Sequence, residues 1–99
     1  MLTNQKKGKN KMITQAEYEK KMASYRFDVR GTGGNCTAFY RQIKLGDKDF
    51  EILIANELET PRVGEWAIAQ YSDEDGNHFG FALKDHDAVL LLAKTLETN

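Results

Sequence analysis

At 99 residues, with 40% hydrophobic and 29% charged side chains and a net charge of −1, the chain suits one small folded domain with a thin core. No apolar run approaches the ~20 residues that a membrane helix needs, and the N-terminal lysines have no apolar stretch behind them, so neither a spanning segment nor a secretory signal is expected. The single cysteine, Cys36, excludes an internal disulfide and a multi-cysteine metal site, which makes the reducing cytoplasm the expected setting.

Charge is unevenly spread. Residues 1–30 hold eight basic and three acidic side chains, a net of +5, whereas residues 31–99 hold six basic and twelve acidic ones, a net of −6. Such a split points to a basic arm for anionic partners or an acidic face for basic ones, or to solubility alone. Residues 1–11 are rich in Lys, Asn, Gln and Gly without apolar periodicity, and a disordered basic tail is expected there, with residues 12–99 forming a single α+β domain. Lys6, Lys7, Lys9 and Lys11, joined by Lys20 and Lys21, suit loose phosphate contact through counterion release. No arginine or aromatic is interleaved in the tail to read bases.

The first helix starts at Thr14, where Thr14-Gln-Ala-Glu17 spells a capping box and Ile13 and Tyr18 stand at staple spacing. Tyr18, Met22 and Tyr25 share its apolar stripe. Tyr25, Phe27 and Val29 then alternate with Arg26, Asp28 and Arg30, the pattern of a half-buried strand. Gly31-Thr-Gly-Gly-Asn35 reads as a turn, Cys36 to Ile43 as a second strand, and Gly46-Asp-Lys-Asp49 as a second turn. Phe50 to Ala55 follows, apolar on both faces and therefore expected to be central. Glu57 to Gly64 holds the only proline and is the longest expected connection, which suggests a binding element.

Trp66 to Leu83 is the strongest hairpin signal in the chain: two alternating runs around Ser72-Asp-Glu-Asp-Gly-Asn77. Trp66, Phe79 and Phe81 are expected on a face that the rest of the chain covers, and Leu53 and Tyr71 on an opposite, open face. Asp85 or Asp87 opens a last helix with Val89, Leu92, Ala93 and Leu96 as its stripe, widened by Leu90. The element order αβββββα implies an α+β fold: an antiparallel meander of four to five strands with an N-terminal and a C-terminal helix packed on one face. A thin sheet with one open face also raises a homodimer as an expectation.

Motifs with chemistry in them are few. Gly31-Thr-Gly-Gly-Asn-Cys-Thr37 has phosphate-loop glycines, but a strand follows in place of a helix and the loop holds no lysine. Counted from Asp73, the sixth and twelfth positions of a calcium loop are His78 and Lys84 instead of Gly and Glu. His78 and His86 have no third ligand near in sequence and are expected to be exposed. Cys36 with either histidine is a weak nucleophile–base pairing. No catalytic residue, metal or cofactor is therefore expected. The remaining pattern is acidic: Asp47, Asp49 and Glu51, then Glu57 and Glu59, then Asp73, Glu74 and Asp75, gathered at turns and strand ends.

The segments Thr32-Gly-Gly-Asn-Cys-Thr-Ala-Phe-Tyr-Arg41 and Asp73-Glu-Asp-Gly-Asn-His-Phe-Gly-Phe81 resemble turn and strand segments of small orphan proteins from phages and mobile elements. That loose group includes anti-CRISPR and anti-restriction proteins. The resemblance implies a non-enzymatic inhibitor that binds a host or defence protein stoichiometrically. Its contacts are expected from Asp47, Asp49, Glu57, Glu59, Asp73, Glu74 and Asp75, together with the aromatics Tyr40 and Tyr71, against a basic partner surface. The alternative is a nucleic-acid accessory protein using Lys6, Lys7, Lys9, Lys11, Lys20 and Lys21, with Arg26 and Arg30.

Overall fold

Residues 13–57 and 59–97 are described by a computed structural model; the expected tail, with Lys6, Lys7, Lys9 and Lys11, lies outside them. Helix α1 spans Gln15–Ser24 and starts as the capping box dictates. The Glu17 N–H donates to Thr14 Oγ1 at 3.1 Å, and the Thr14 N–H donates to Glu17 Oε1 at 2.8 Å. Its apolar stripe puts Tyr18 and Met22 in the core.

The end of α1 overrides the alternation that follows it. Tyr25 is the C-cap, and Arg26 takes a left-handed conformation at φ 73°. The Arg26 N–H donates to the Ala23 carbonyl and the Phe27 N–H to the Met22 carbonyl, both at 2.9 Å. This is the paired-bond ending usually built on glycine. The first strand therefore begins at Asp28, not at Tyr25: two residues that alternate like strand are used to stop the helix.

Five strands follow: β1 Asp28–Gly33, β2 Cys36–Leu45, β3 Lys48–Ala55, β4 Ala67–Asp73 and β5 His78–Leu83. They form one antiparallel sheet in chain order. The expected turn over residues 31–35 is tighter than its glycines suggested. β1 continues to Gly33 through a bulge between Gly31 and Gly33, leaving Gly34 and Asn35 as the connection. Helix α2, His86–Leu96, is capped by Asp85, whose side chain accepts from the Ala88 N–H at 3.2 Å.

Register fixes the two faces. Val29, Phe39, Ile54, Ala69 and Phe81 form one cross-strand row, and Arg41, Ile52, Tyr71 and Phe79 form the next. Both helices pack on this face, where Tyr18, Met22, Val89, Ala93 and Leu96 meet Phe39, Ile52, Ile54, Ala67, Ala69 and Leu83. The α+β meander with both helices on one side follows directly from this alternation.

Three placements differ from expectation. Tyr71 lies on the helix face and is buried, because its register partner Phe79 points the same way. Trp66 falls on the opposite side of the sheet from Phe79 and Phe81, since its place in the alternation is one step from Ala67. Phe79 and Phe81 share the core face yet stay 53% and 41% exposed. The helices cover the Leu83 end of β5, and the two phenylalanines emerge beyond them.

Candidate functional site

Hairpin geometry brings the acidic residues together in part. The β2–β3 and β4–β5 turns lie at the same end of the sheet, so Asp47 and Asp49 stand beside Asp73, Glu74 and Asp75. The Asp49 N–H donates to Glu74 Oε2 at 3.3 Å, and Lys48 Nζ bridges Asp75 at 2.9 Å and Asp73 at 3.6 Å. Hydrogen bonding to Asp75 raises the Lys48 pKa, the field of Asp75 and Asp73 adding to it. Glu57 and Glu59 are at the other end, about 25 Å away along the eight residues of β3. Glu59 pairs with Arg62 at 3.1 Å. These two carboxylates and the turn cluster form separate surfaces.

Within the cluster, Asp73 has a structural role. Its carboxylate accepts from the Asp75 N–H at 3.0 Å, the Asn77 N–H at 2.9 Å and Asn77 Nδ2 at 3.1 Å. The Asn77 side-chain bond, then the backbone bonds of Asn77 and Asp75, hold its carboxyl below the usual range, with Lys48 adding to the effect. With 6% of its side chain exposed, Asp73 shapes the turn and offers a partner little. Asp47, Asp49, Glu74 and Asp75 are the exposed carboxylates of this end.

Next to them lies the uncovered half of the core face. Phe79 stacks on Tyr71 with centroids 4.9 Å apart and planes 10° apart, Phe81 packs on Tyr71 at 5.8 Å, and Phe50 meets Phe79 edge-on at 6.4 Å. Tyr71 is thus the floor of an aromatic patch whose exposed members are Phe79 and Phe81. Burial raises the Tyr71 pKa, so the phenol is neutral at physiological pH. The alternating Phe-Gly-Phe of β5 announced this aromatic pair; what the spacing did not show is how far α2 reaches.

The open face carries a concavity of about 350 Å³, lined by Ala38, Leu53, Ala55 and Ile68 with Trp66, 46% exposed, as one wall. Tyr40, also on this face, is covered instead of exposed. The Arg30 guanidinium lies 3.7 Å above its ring, and its hydroxyl donates to Glu51 Oε2 at 2.8 Å. Burial, followed by that bond to Glu51, raises its pKa. Arg30, expected to be free for nucleic acid, is engaged by this contact, while Lys20 and Lys21 of α1 are exposed.

The loop expected to bind a partner is clamped down. Gln15 Oε1 accepts from the Val63 N–H at 3.0 Å, and Gln15 Nε2 donates to the Pro61 carbonyl at 3.0 Å. Thr37 Oγ1 accepts from the Thr60 N–H, and Asn56 Nδ2 donates to the Trp66 carbonyl at 2.7 Å. His86, expected in solvent, is buried: its Nδ1 accepts from the Gly64 N–H at 3.1 Å while its ring meets Tyr18 edge-on. It fastens the loop to α2. His78 is exposed, within 3.4 Å of Ser72 Oγ. Cys36, partly buried beside the open-face concavity, sits six residues of register from His78 along the strands, about 20 Å. Register therefore keeps that nucleophile–base pair apart. Among the described residues no three His, Cys, Asp or Glu side chains are grouped to hold a metal ion, and no helix is long and apolar enough to cross a membrane.

Comparison of the chain with protein-family models, curated proteins and solved structures gives no match.

Proposed function

We propose that this chain is a non-enzymatic protein-binding module of the cytoplasm, a phage or mobile-element inhibitor of the anti-CRISPR-like kind that docks stoichiometrically on a host or defence protein. One observation carries the reading: Phe79 and Phe81 stand 53% and 41% exposed on a face that elsewhere is core, at the end of the sheet whose turns hold the exposed carboxylates of Asp47, Glu74 and Asp75, with Asp49 on the opposite face. An apolar patch with charged groups at its border is the ordinary anatomy of a protein interface. The partner surface it fits is an apolar depression bordered by Lys and Arg. Tyr71 contributes as the support beneath Phe79, and Glu57 and Glu59 have no part in it.

The test is a tagged pull-down from host lysate with nuclease present, comparing wild type with Phe79→Ser/Phe81→Ser and with Glu74→Lys/Asp75→Lys. One protein held in stoichiometric amount, lost with the first variant and weakened by salt and by the second, is the expected result. Retention that is unchanged in both variants would overturn the surface. Recovery of nucleic acid alone, abolished by deleting residues 1–11, would move binding to Lys6, Lys7, Lys9 and Lys11, with Lys20 and Lys21.

A further inference from the structure

The two edges of the sheet are built differently. Edge strand β1 carries Asp28 and Arg30 and is broken by a bulge among glycines, which are the usual devices against edge-to-edge pairing. Edge strand β5, His78-Phe-Gly-Phe-Ala-Leu83, has no Asp, Glu, Lys, Arg or proline. It pairs with β4 without a register shift, and every residue from His78 to Ala82 is exposed. Among the described residues no element lies beyond it.

Its outward backbone groups follow from the turn. The Asp73 N–H donates to the Asn77 carbonyl at 3.0 Å, so Asp73 and Asn77 are a hydrogen-bonded pair. Alternation then turns the N–H and C=O of Phe79, Phe81 and Leu83 toward β4, and those of His78, Gly80 and Ala82 outward. Three outward residues centred on Gly80 are self-complementary about a two-fold axis.

We infer that β5 pairs antiparallel with β5 of a second copy of this chain, with Gly80 opposite Gly80, joining two sheets into one of ten strands. In that register His78 faces Ala82 of the second copy, and the three outward pairs exchange six hydrogen bonds. Phe79 falls opposite Phe81 of the second copy in non-hydrogen-bonded pairs, where side chains approach most closely. The exposed aromatic patch of each protomer is thereby continued into the other. Charge agrees with the register: Lys84, the first charged residue after β5, lies opposite Gly76 in the acidic turn of the other copy, next to Asp75. Between His78 and Lys84 the alignment sets no like charges against each other; the next pair, Asp85 and Asp75, lies beyond the strand, on the α2 cap and in the turn. A single strand pair buries little area, so the association is weak. The inference is independent of the partner reading above.

The experiment is sedimentation of the full chain, together with amide hydrogen exchange by NMR, at high and at low micromolar concentration. The expected result is a monomer–dimer equilibrium in which the Gly80 and Ala82 amides gain roughly tenfold protection on concentration. Ala82→Pro removes an outward N–H without touching the β4 ladder and should give a monomer with an unchanged far-ultraviolet spectrum. Ala82→Lys, which keeps every donor, should weaken the dimer by the edge-charge effect even where the proline variant fails to fold. A monomer at all concentrations, or a dimer that Ala82→Lys leaves intact, overturns the proposal. So does protection of Gly80 and Ala82 that does not depend on concentration, because the same chain would then be covering its own edge.

Discussion

Arg41 Nη1 donates to the main-chain carbonyl of Leu96 at 2.9 Å, tying the centre of β2 to the last turn of α2. Arg41 is 6% exposed, and its guanidinium lies 5.9 Å above the Phe27 ring. Burial, and then the nearby Arg26, lower its pKa, yet an arginine stays charged at any physiological pH. A cation at a helix C-terminus satisfies an orphan carbonyl and complements the helix dipole. Arg41→Ala leaves that carbonyl unpaired and removes the packed stem, so a loss of roughly 2–3 kcal/mol is expected in urea unfolding. A variant within experimental error of wild type would show the contact to be incidental.

Acid should act through Asp73. Its pKa is lowered in the folded chain by the Asn77 and Asp75 bonds and Lys48, so its stabilisation is complete above the unfolded-state value near 4. It is lost as pH falls through the lower folded value. The melting temperature of Asp73→Ala is accordingly expected below wild type at neutral pH, with the gap closing below about pH 4. A gap that stays constant down to pH 2 would mean the carboxylate charge is irrelevant to the turn.

The helix ending at Arg26 shows where the sequence was silent. The capping box at Thr14 and the Asp85 cap were readable because side-chain type alone selects them. The meander was readable because period-two alternation and glycine turns agree. The end of α1 was hidden: the left-handed position holds arginine where glycine would have signalled it, and the surrounding alternation imitates a strand. Likewise His86 read as a surface residue and nothing marked Gln15 as a clamp, since their partners Gly64, Pro61 and Val63 are 22 to 48 residues away. The aromatic part of the candidate site was visible as Phe79 and Phe81, but their exposure depends on how far α2 reaches across the sheet. Arg26→Gly relieves the positive φ and is expected to leave stability unchanged or raise it by up to ~1 kcal/mol; a drop larger than that would assign the Arg26 side chain a structural contact.

Gln15 can be tested as a clamp and not merely as a helix residue. Gln15→Ala strands the Val63 N–H and the Pro61 carbonyl, at a cost of about 1–2 kcal/mol. Its sharper signature is local. Arg62, exposed between the two clamped residues, should become a site of early trypsin cleavage in the variant while the sheet persists. Equal cleavage rates in variant and wild type would show the loop to be held by Thr37, Asn56 and His86 without Gln15.

Two glycines of the sheet make opposite predictions from the space around them. A Cβ at Gly80 would lie 2.8 Å from the Ala69 carbonyl oxygen, a main-chain atom that yields only if β4 and β5 separate. Gly80→Ala should therefore cost about 1–3 kcal/mol, as overpacking does. A Cβ at Gly31 would meet the Cys36 carbonyl oxygen at an ordinary 3.8 Å. Its φ is outside the left-handed range, so Gly31→Ala should stabilise by roughly 0.4–1 kcal/mol through the unfolded chain. Urea midpoints measured on both variants decide the matter. Equal shifts in the same direction would mean that backbone entropy alone governs both sites, and that the close approach of β4 to Gly80 does not constrain the edge strand.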